Sequence, residues 1–514
     1  MKKIPPLKSG VKIKKRQFVD RNRRPVVAVS LGCHVEGVCL PHVDPSDLDT
    51  MEAGVRCRAG LDPLKSTETL AGVGLANLLK EEYTGDLEQD RETLLKKFAK
   101  FVEKRVKRYP RLAPDSDISF ENWLANTNYQ EWRKEELRKV WRTISDEGFW
   151  SSDKHTSVNG FPKDEHYPEY KHARAINARD DGSKVYVGPI FKLIEKIVYS
   201  DPSFIKHVPV ADRPKYIMER LYQVGGRYLA TDYTSFEALF RKEIMEICEV
   251  KLYRYMTARL PSRVRDSFME WVDSVMLGEN KIRYRAKFTV RIPATRMSGE
   301  MCTSLGNGFS NLMFMEFISG LVGATDVKGV VEGDDGLFCL KGTAPSEADF
   351  AALGLIIKPT YCDDITEASF CGLVFDDVDQ VSLYDPKKAL ASIGWTSNQY
   401  LNAKPATKKQ LLRCKALSLA HQFPACPIIS ALAGHVLEQT RGVDVRGVLA
   451  GTGLDNWTRN KVIAALRDEK NIQLRDPPLR SRFLVERVFG VTVPEQLAVE
   501  DYLKSLTSLQ PLKV

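Results

Sequence analysis

The chain has no apolar run approaching the ~18 residues that a membrane span needs, and its N-terminus lacks the apolar core of a secretory signal. Any membrane association is therefore expected through a partner or a surface. Cysteine is sparse. Ten residues are scattered from Cys33 to Cys426 with no CxxC pair, which excludes a disulfide framework and points to reduced thiols in a cytosolic setting. Cys33, His34, Cys39 and His42 lie close enough in sequence to hold zinc, but their spacing fits no standard ligand pattern. A large charge excess is missing too. With 76 Lys and Arg against 67 Asp and Glu, the net charge of +9 suits a basic channel and makes nucleic acid the first partner to consider. At 514 residues the chain far exceeds a typical domain of ~100–200 residues, so two or three subdomains are expected.

The cations are clustered. Residues 1–24 carry ten Lys or Arg against Asp20 alone, an electrostatic arm that is either a solvated tail or an RNA contact. From Asp86 to Arg108, Leu87, Leu94, Leu95, Phe98, Phe101, Val102 and Val106 recur mostly at three and four, which predicts a long amphipathic helix. Trp123 to Arg142 interleaves rings with cations, a pattern that suits stacking on an RNA strand and equally suits core aromatics on a charged helix. Phe161 to Arg179 has little apolar periodicity and reads as a loop or extended finger. Its Lys163, Lys171, Arg174 and Arg179 could neutralise a polyanion such as a triphosphate, or could simply be solvated.

The acids are placed more tellingly. Val330 to Phe338 reads as a tight hairpin with Asp334 and Asp335 between glycines at its tip, a natural seat for a hard divalent cation. Alone, a Gly-Asp-Asp tripeptide is weak, because chance supplies it in roughly one chain in ten of this length. Tyr228 to Thr231 is a strand that delivers Asp232 at its end, followed by helices at about 238–257 and 262–279 and a strand pair within 283–292. Arg296 to Glu300 signals a turn before a helix of about 301–318, on which Thr303 and Asn307 share a face. A short helix at 346–353, a strand at 355–358 stopped by Pro359, and a strand or hairpin at 369–375 come next. Residues 385–514 alternate helical segments with Pro and Gly breaks and hold no acid-base cluster. If the strands bearing Asp232 and Asp334-Asp335 are neighbours, their carboxylates can hold two divalent ions ~3.5–4 Å apart for in-line phosphoryl displacement.

In this order the motifs resemble those of a viral RNA-dependent RNA polymerase, with closest likeness to the tombusvirus-like group of positive-strand RNA viruses. Asp232 to Glu237 is similar to the first palm motif, Arg296 to Asn307 to the second, and Gly333-Asp334-Asp335 to the third. Lys358 stands at the fourth-motif lysine, Phe370-Cys371-Gly372 resembles the fifth-motif turn, and Lys171 to Ile176 looks like the nucleotide-entry finger motif, with Arg179 beyond it. The likeness covers most of Trp123 to Thr396. One position departs: the first motif usually ends in Asp, and here a longer carboxylate, Glu237, stands there.

The resemblance implies an α+β right-hand polymerase, with an antiparallel palm sheet flanked by helices and a mainly helical thumb. Residues 1–110 would be a basic arm and extension, 111–225 fingers, 226–254 palm, 255–294 a fingers insertion, 295–376 the rest of the palm and 377–514 the thumb. Asp232, Asp334 and Asp335 would hold two Mg²⁺ or Mn²⁺ ions. Lys163, Lys171, Arg174 and Arg179 would meet the triphosphate, Glu237, Ser298, Thr303 and Asn307 would face ribose and template, and Lys358 would protonate pyrophosphate. Template and product RNA and ribonucleoside triphosphates are the implied partners, with a viral or host membrane-replication partner in the host cytoplasm. A reverse transcriptase-like polymerase shares the metal acids but is disfavoured by Gly333 and by the Ser-Gly, Thr, Asn pattern. A non-catalytic RNA-binding replication protein would leave the separated carboxylates unexplained.

Overall fold

The computed structural model describes residues 5–15, 28–38, 48–146, 157–163, 172, 174–284, 288–451, 454, 456–469 and 472–514. Helix predominates, and the strands form small, mainly antiparallel sheets. A four-stranded sheet runs in the order β10 (Thr360–Cys362), β5 (Arg227–Thr231), β9 (Asp335–Lys341), β8 (Thr325–Glu332). Its middle is apolar on both faces: Tyr228, Leu229, Val330, Val331 and Leu337 to Leu340 are all buried. That burial requires cover on each side. One side is covered by the helix Thr303–Val322, which is buried along most of its length and ends at Gly323, a left-handed cap two residues before β8.

A five-stranded sheet has the order β1 (Lys12–Lys15), β7 (Phe288–Ile292), β6 (Asn280–Tyr284), β3 (Val158–Pro162), β4 (Ala175–Arg179). Alternation along β6 and β7 turns Ile282, Tyr284, Phe288, Val290 and Ile292 into one core, as a period of two dictates. Phe161 to Arg179, expected as a loop or extended finger, has paired arms: β3 and β4 match from Val158↔Arg179 to Pro162↔Ala175. Residues 164–171 and 173 between them, including Lys171, lie outside the described residues.

Beyond β11 (Leu373–Asp376) and β12 (Val381–Tyr384), helices Pro405–Gln422, Ile429–Gln439, Leu479–Phe489 and Val493–Ser505 build a further core. The chain's early residues belong to it as well. Leu31, Cys33 and Val35 lie in that core, β2 (Val29–Ser30) pairs with β13 (Trp395–Thr396), and Leu512 exchanges backbone hydrogen bonds with His34 and Glu36, both at 2.8 Å. Cys33 is buried, with its thiol pushed up to about 11 by burial, while His34 shares a hydrogen bond with Ser30 Oγ at 2.8 Å. Cys39 and His42 lie outside the described residues.

The amphipathic helix forms as Leu87–Val106, capped by Asp86, whose carboxylate accepts from the Glu88 and Gln89 amides. Two expectations need correction. The helix of about 238–257 is interrupted by extended backbone at Arg241 and by a wide π-helical stretch, Glu246–Val250. The strand expected at 355–358 is reduced to a single bridge, Ile357↔Tyr233, and the strand proper, β10, begins after Pro359. Pro359 lacks the N–H that a continuous ladder would use.

Helix Glu68–Leu79 seats against helix Glu347–Ala352 through Gly74, where a Cβ would fall on the Ala348 carbonyl. Asn77 Nδ2 also donates to Asp349 Oδ1 at 3.2 Å, and Asp349 closes a capping box with Ser346. Gly74→Ala should therefore push the two helices apart and cost about 1–3 kcal/mol by overpacking, read as a lower melting temperature. A Gly74→Ala protein that melts with the parent would show that the contact is slack.

Candidate active site

Register brings the acids together. β5 and β9 pair Ala230↔Leu337 and Thr231↔Gly336, so Asp232, the next residue, leaves β5 beside Asp335 at the start of β9. β8 and β9 are joined by only Gly333 and Asp334, after a final pair Glu332↔Asp335. Gly333 has φ +65°, and a glycine with positive φ at the first central position suits a two-residue hairpin turn of type II′. Asp334 is thus held at the tip.

The result is a concentration of negative charge. Asp335 has its carboxyl pushed up to about 6, first by withdrawal from water and then by Asp334, with Glu332 and Asp232 adding, while a hydrogen bond from the Cys371 thiol opposes the rise. The Asp335 residue is exposed at the start of β9, so its carboxyl owes the upward shift to partial withdrawal from water and to the acids beside it. Arg213 Nη1 pairs with Glu332 at 2.8 Å and so compensates one acid of the group. All the donors are hard oxygens carrying excess charge, which fits Mg²⁺ or Mn²⁺. Among the described residues no three His, Cys, Asp or Glu side chains close a metal site by themselves. Magnesium does not require that, since it is usually held by one or two carboxylates with water and substrate phosphates completing the shell.

The other residues singled out in the sequence fall into three groups. Lys358 adjoins the acids: its backbone N–H donates to the Asp232 carbonyl at 2.9 Å, and its side chain is exposed. Glu237 is half-buried in the short helix Phe236–Leu239, which follows a left-handed Ser235.

Ser298, Thr303 and Asn307 form the second group. Thr303 Oγ1 donates to the Met297 carbonyl at 2.9 Å and accepts from the Glu300 amide at 3.0 Å, closing the turn before the central helix. Ser298 Oγ accepts from the Asn177 amide at 3.0 Å, so this turn is stitched to β4. Gly299 permits the approach, because a Cβ there would lie 2.7 Å from Ala178 Cα. Asn307 is buried, and its Oδ1 has no hydrogen-bond partner among the described residues. A buried amide oxygen left unmatched is costly, which favours a ligand group there.

The third group is the hairpin cations. Lys163 N–H donates to the Arg174 carbonyl at 2.7 Å, extending the β3–β4 pairing and bringing those two residues together. Arg179 is buried, with Nε donating to Glu300 Oε1 at 2.9 Å and Nη2 to Asn280 Oδ1 at 2.6 Å. It braces the Ser298-Gly299 turn from beneath.

One residue at the site, Arg213, comes from a distant segment that no local pattern announces. Cys371 lies in the Phe370-Cys371-Gly372 turn likened to the fifth motif, and Asn311 belongs to the run Gly306, Asn307, Gly308, Ser310 and Asn311, whose poor helix formers hint at a ligand or at close helix packing.

A family model described as viral RNA-dependent RNA polymerase matches residues 116–423, more than half of the chain and the span that contains every one of these acids. The chain belongs to that family. This polymerase is accordingly an RNA-directed nucleotidyltransferase of viral replication, with an RNA template and nucleoside triphosphates as substrates. Polymerases of the family generally use divalent metal ions. No curated protein matches the chain as a relative. Among the described residues no helix of the polymerase is long and apolar enough to cross a membrane.

The raised Asp335 carboxyl has a definite pH signature. Its value of about 6 exceeds the ~3.9 of an unfolded Asp, so the ionised group destabilises the metal-free polymerase above pH 6, and that cost fades as pH falls from 6 toward 4. Without divalent ions, Asp335→Asn should raise the melting temperature at pH 7.5, by an amount that shrinks as the pH is lowered. Were Asp335 a metal ligand, Mn²⁺ affinity would fall as pH drops from 7 to 5, because proton and metal would then compete for the same oxygens. Calorimetry across this range that finds a pH-independent affinity would show that Asp335 does not meet the metal.

Proposed function

We propose that this polymerase copies a viral RNA genome by two-metal nucleotidyl transfer from ribonucleoside triphosphates, with Asp232, Asp334 and Asp335 as the metal carboxylates. The observation that carries the proposal is the strand register that sets Asp232 beside Asp335 and puts Asp334 at the turn. Two bound Mg²⁺ or Mn²⁺ ions would supply activation of the primer 3′-hydroxyl and neutralisation of the triphosphate and departing pyrophosphate. The 3′-hydroxyl gives its proton to solvent as its oxygen bonds to the α-phosphorus, and the bond from that phosphorus to the pyrophosphate oxygen breaks.

The protein's own groups bind and orient. Lys163 and Arg174, beside the paired ends of β3 and β4, and Lys171, between them in sequence, meet the triphosphate. Arg179, paired with Glu300, serves the nucleotide through the Ser298-Gly299 turn. Asn307 presents its unmatched oxygen to the ribose, with Glu237, Ser298 and Thr303 completing the ribose and template side. Lys358, tied by its backbone to Asp232, gives a proton to the leaving pyrophosphate.

In this reading the molecule is a right hand. The four-stranded sheet is the palm (226–254 and 295–376), the five-stranded sheet lies mainly in the fingers (111–225 and 255–294), and the helices of 377–514 are the thumb. Residues 1–110, the basic arm and extension, link to the fingers through β1, which pairs with β7. The motif wording, Arg296 to Asn307 above all, favours a tombusvirus-like polymerase. A viral or host partner would recruit it to membrane-associated replication complexes in the host cytoplasm.

Asp334→Ala should abolish template-directed incorporation of labelled ribonucleotides while leaving the melting curve intact, and retained incorporation would refute the assignment. Glu237→Gln should weaken the preference for ribonucleotides over deoxyribonucleotides by about tenfold, through loss of a charge-assisted contact to the sugar. Comparing kcat/KM for the two nucleotide types measures it. An unchanged ratio would remove Glu237 from sugar selection.

A further inference from the structure

Asn311 is fully buried in the helix Thr303–Val322, and both ends of its amide are engaged. Nδ2 donates to the Asp334 carbonyl at 3.0 Å, and Oδ1 accepts from the Tyr233 hydroxyl at 3.3 Å. Tyr233 directly follows Asp232 and is itself buried. A single side chain therefore holds the backbone of the hairpin tip and the residue adjoining the acid of the neighbouring strand. The fit is close: at Gly336 a Cβ would come 3.0 Å from Asn311 Nδ2 and 2.8 Å from Thr231 Oγ1.

That arrangement answers a mechanical need. A two-residue turn leaves its tip without a ladder partner, and the carboxylates around it repel one another. A tip free to swing would move Asp334 away from Asp232 and widen the gap that the ions must fill. Because the assignment of Asp232, Asp334 and Asp335 as metal carboxylates underlies the argument, it rests on the proposed function. We propose that Asn311 is a positioning residue, whose amide fixes the spacing of the two carboxylate-bearing strands and thereby sets the affinity for divalent ions.

The test measures ribonucleotide incorporation by the full chain against Mg²⁺ concentration, with melting curves alongside, for Asn311→Leu, Tyr233→Phe, the double variant and Asp334→Ala. Asn311→Leu is similar in size and removes both hydrogen bonds. It should raise the half-maximal Mg²⁺ concentration by about tenfold and lower kcat, while KM for the nucleotide at saturating Mg²⁺ stays within about twofold. Tyr233→Phe should shift the Mg²⁺ midpoint in the same direction by less, and the double variant should be no worse than Asn311→Leu alone. A lower melting temperature with an unchanged Mg²⁺ midpoint overturns the proposal, because a merely structural role predicts that result. Should Asn311→Leu fail to fold, Tyr233→Phe decides alone: a raised midpoint supports the proposal and an unchanged one ends it. Incorporation by Asp334→Ala would bring down the metal assignment itself, whereas an inactive Asp334→Ala with Mg²⁺-insensitive Asn311 and Tyr233 variants removes only Asn311.

Discussion

Repulsion among Asp232, Glu332, Asp334 and Asp335, crowded at one end of a four-stranded sheet, is the constraint that the surrounding structure resists. Neighbouring carboxylates favour protonation or separation unless something compensates them, and the Asp335 carboxyl is raised first by withdrawal from water and then by these neighbours. Backbone ladders supply the resistance. β5 and β9 pair along their length, β8 and β9 close with a two-residue turn, and the Lys358 amide ties a further segment to the Asp232 carbonyl. The acids are thus mounted on the ends of rigid elements, which preorganise their charge.

A second layer of contacts carries the Ser298-Gly299 turn, which packs on β4. Arg296 and Glu249 form a fully buried ion pair in which Tyr253 donates to Glu249 at 2.9 Å, and the turn of Ser298 and Gly299 begins two residues later. From the other side Arg179 and Glu300 form a second buried pair. Removing one member of such a pair strands a charge away from water, which costs far more than an exposed pair contributes. The turn is pinned at both ends by interactions that break only together with the core.

Much of this was readable from sequence because the decisive signals are local. Gly333-Asp334-Asp335 between apolar runs specifies a hairpin, and the three-and-four spacing of Leu87 to Val106 specifies a helix; both formed where periodicity and turn chemistry placed them. The pairing of β5 with β9 could be inferred only as a condition under which the acids would meet. The interruption at Arg241 was hidden because tertiary contacts override a continuous local pattern, whereas Pro359 reads equally as the stop of a strand before it and as the break from which β10 starts. The burial of Arg179 was hidden for a related reason: a cation in a polar stretch looks solvated until its partner, Glu300, arrives from 121 residues away. Arg213 shares that character, acting through Glu332, a neighbour remote in sequence.

The exchange of hydrogen bonds between Leu512 and the His34–Glu36 stretch has a consequence for how the molecule comes into being. At ribosomal speeds of about 5–20 residues per second, the early strand waits on the order of tens of seconds for its partner to be made. During that interval Leu31, Cys33 and Val35, which end in the core of the C-terminal helices, have no native cover. The four-stranded sheet takes no strand from the last hundred residues, yet Leu31, Cys33 and Val35 are covered only once those residues have been made.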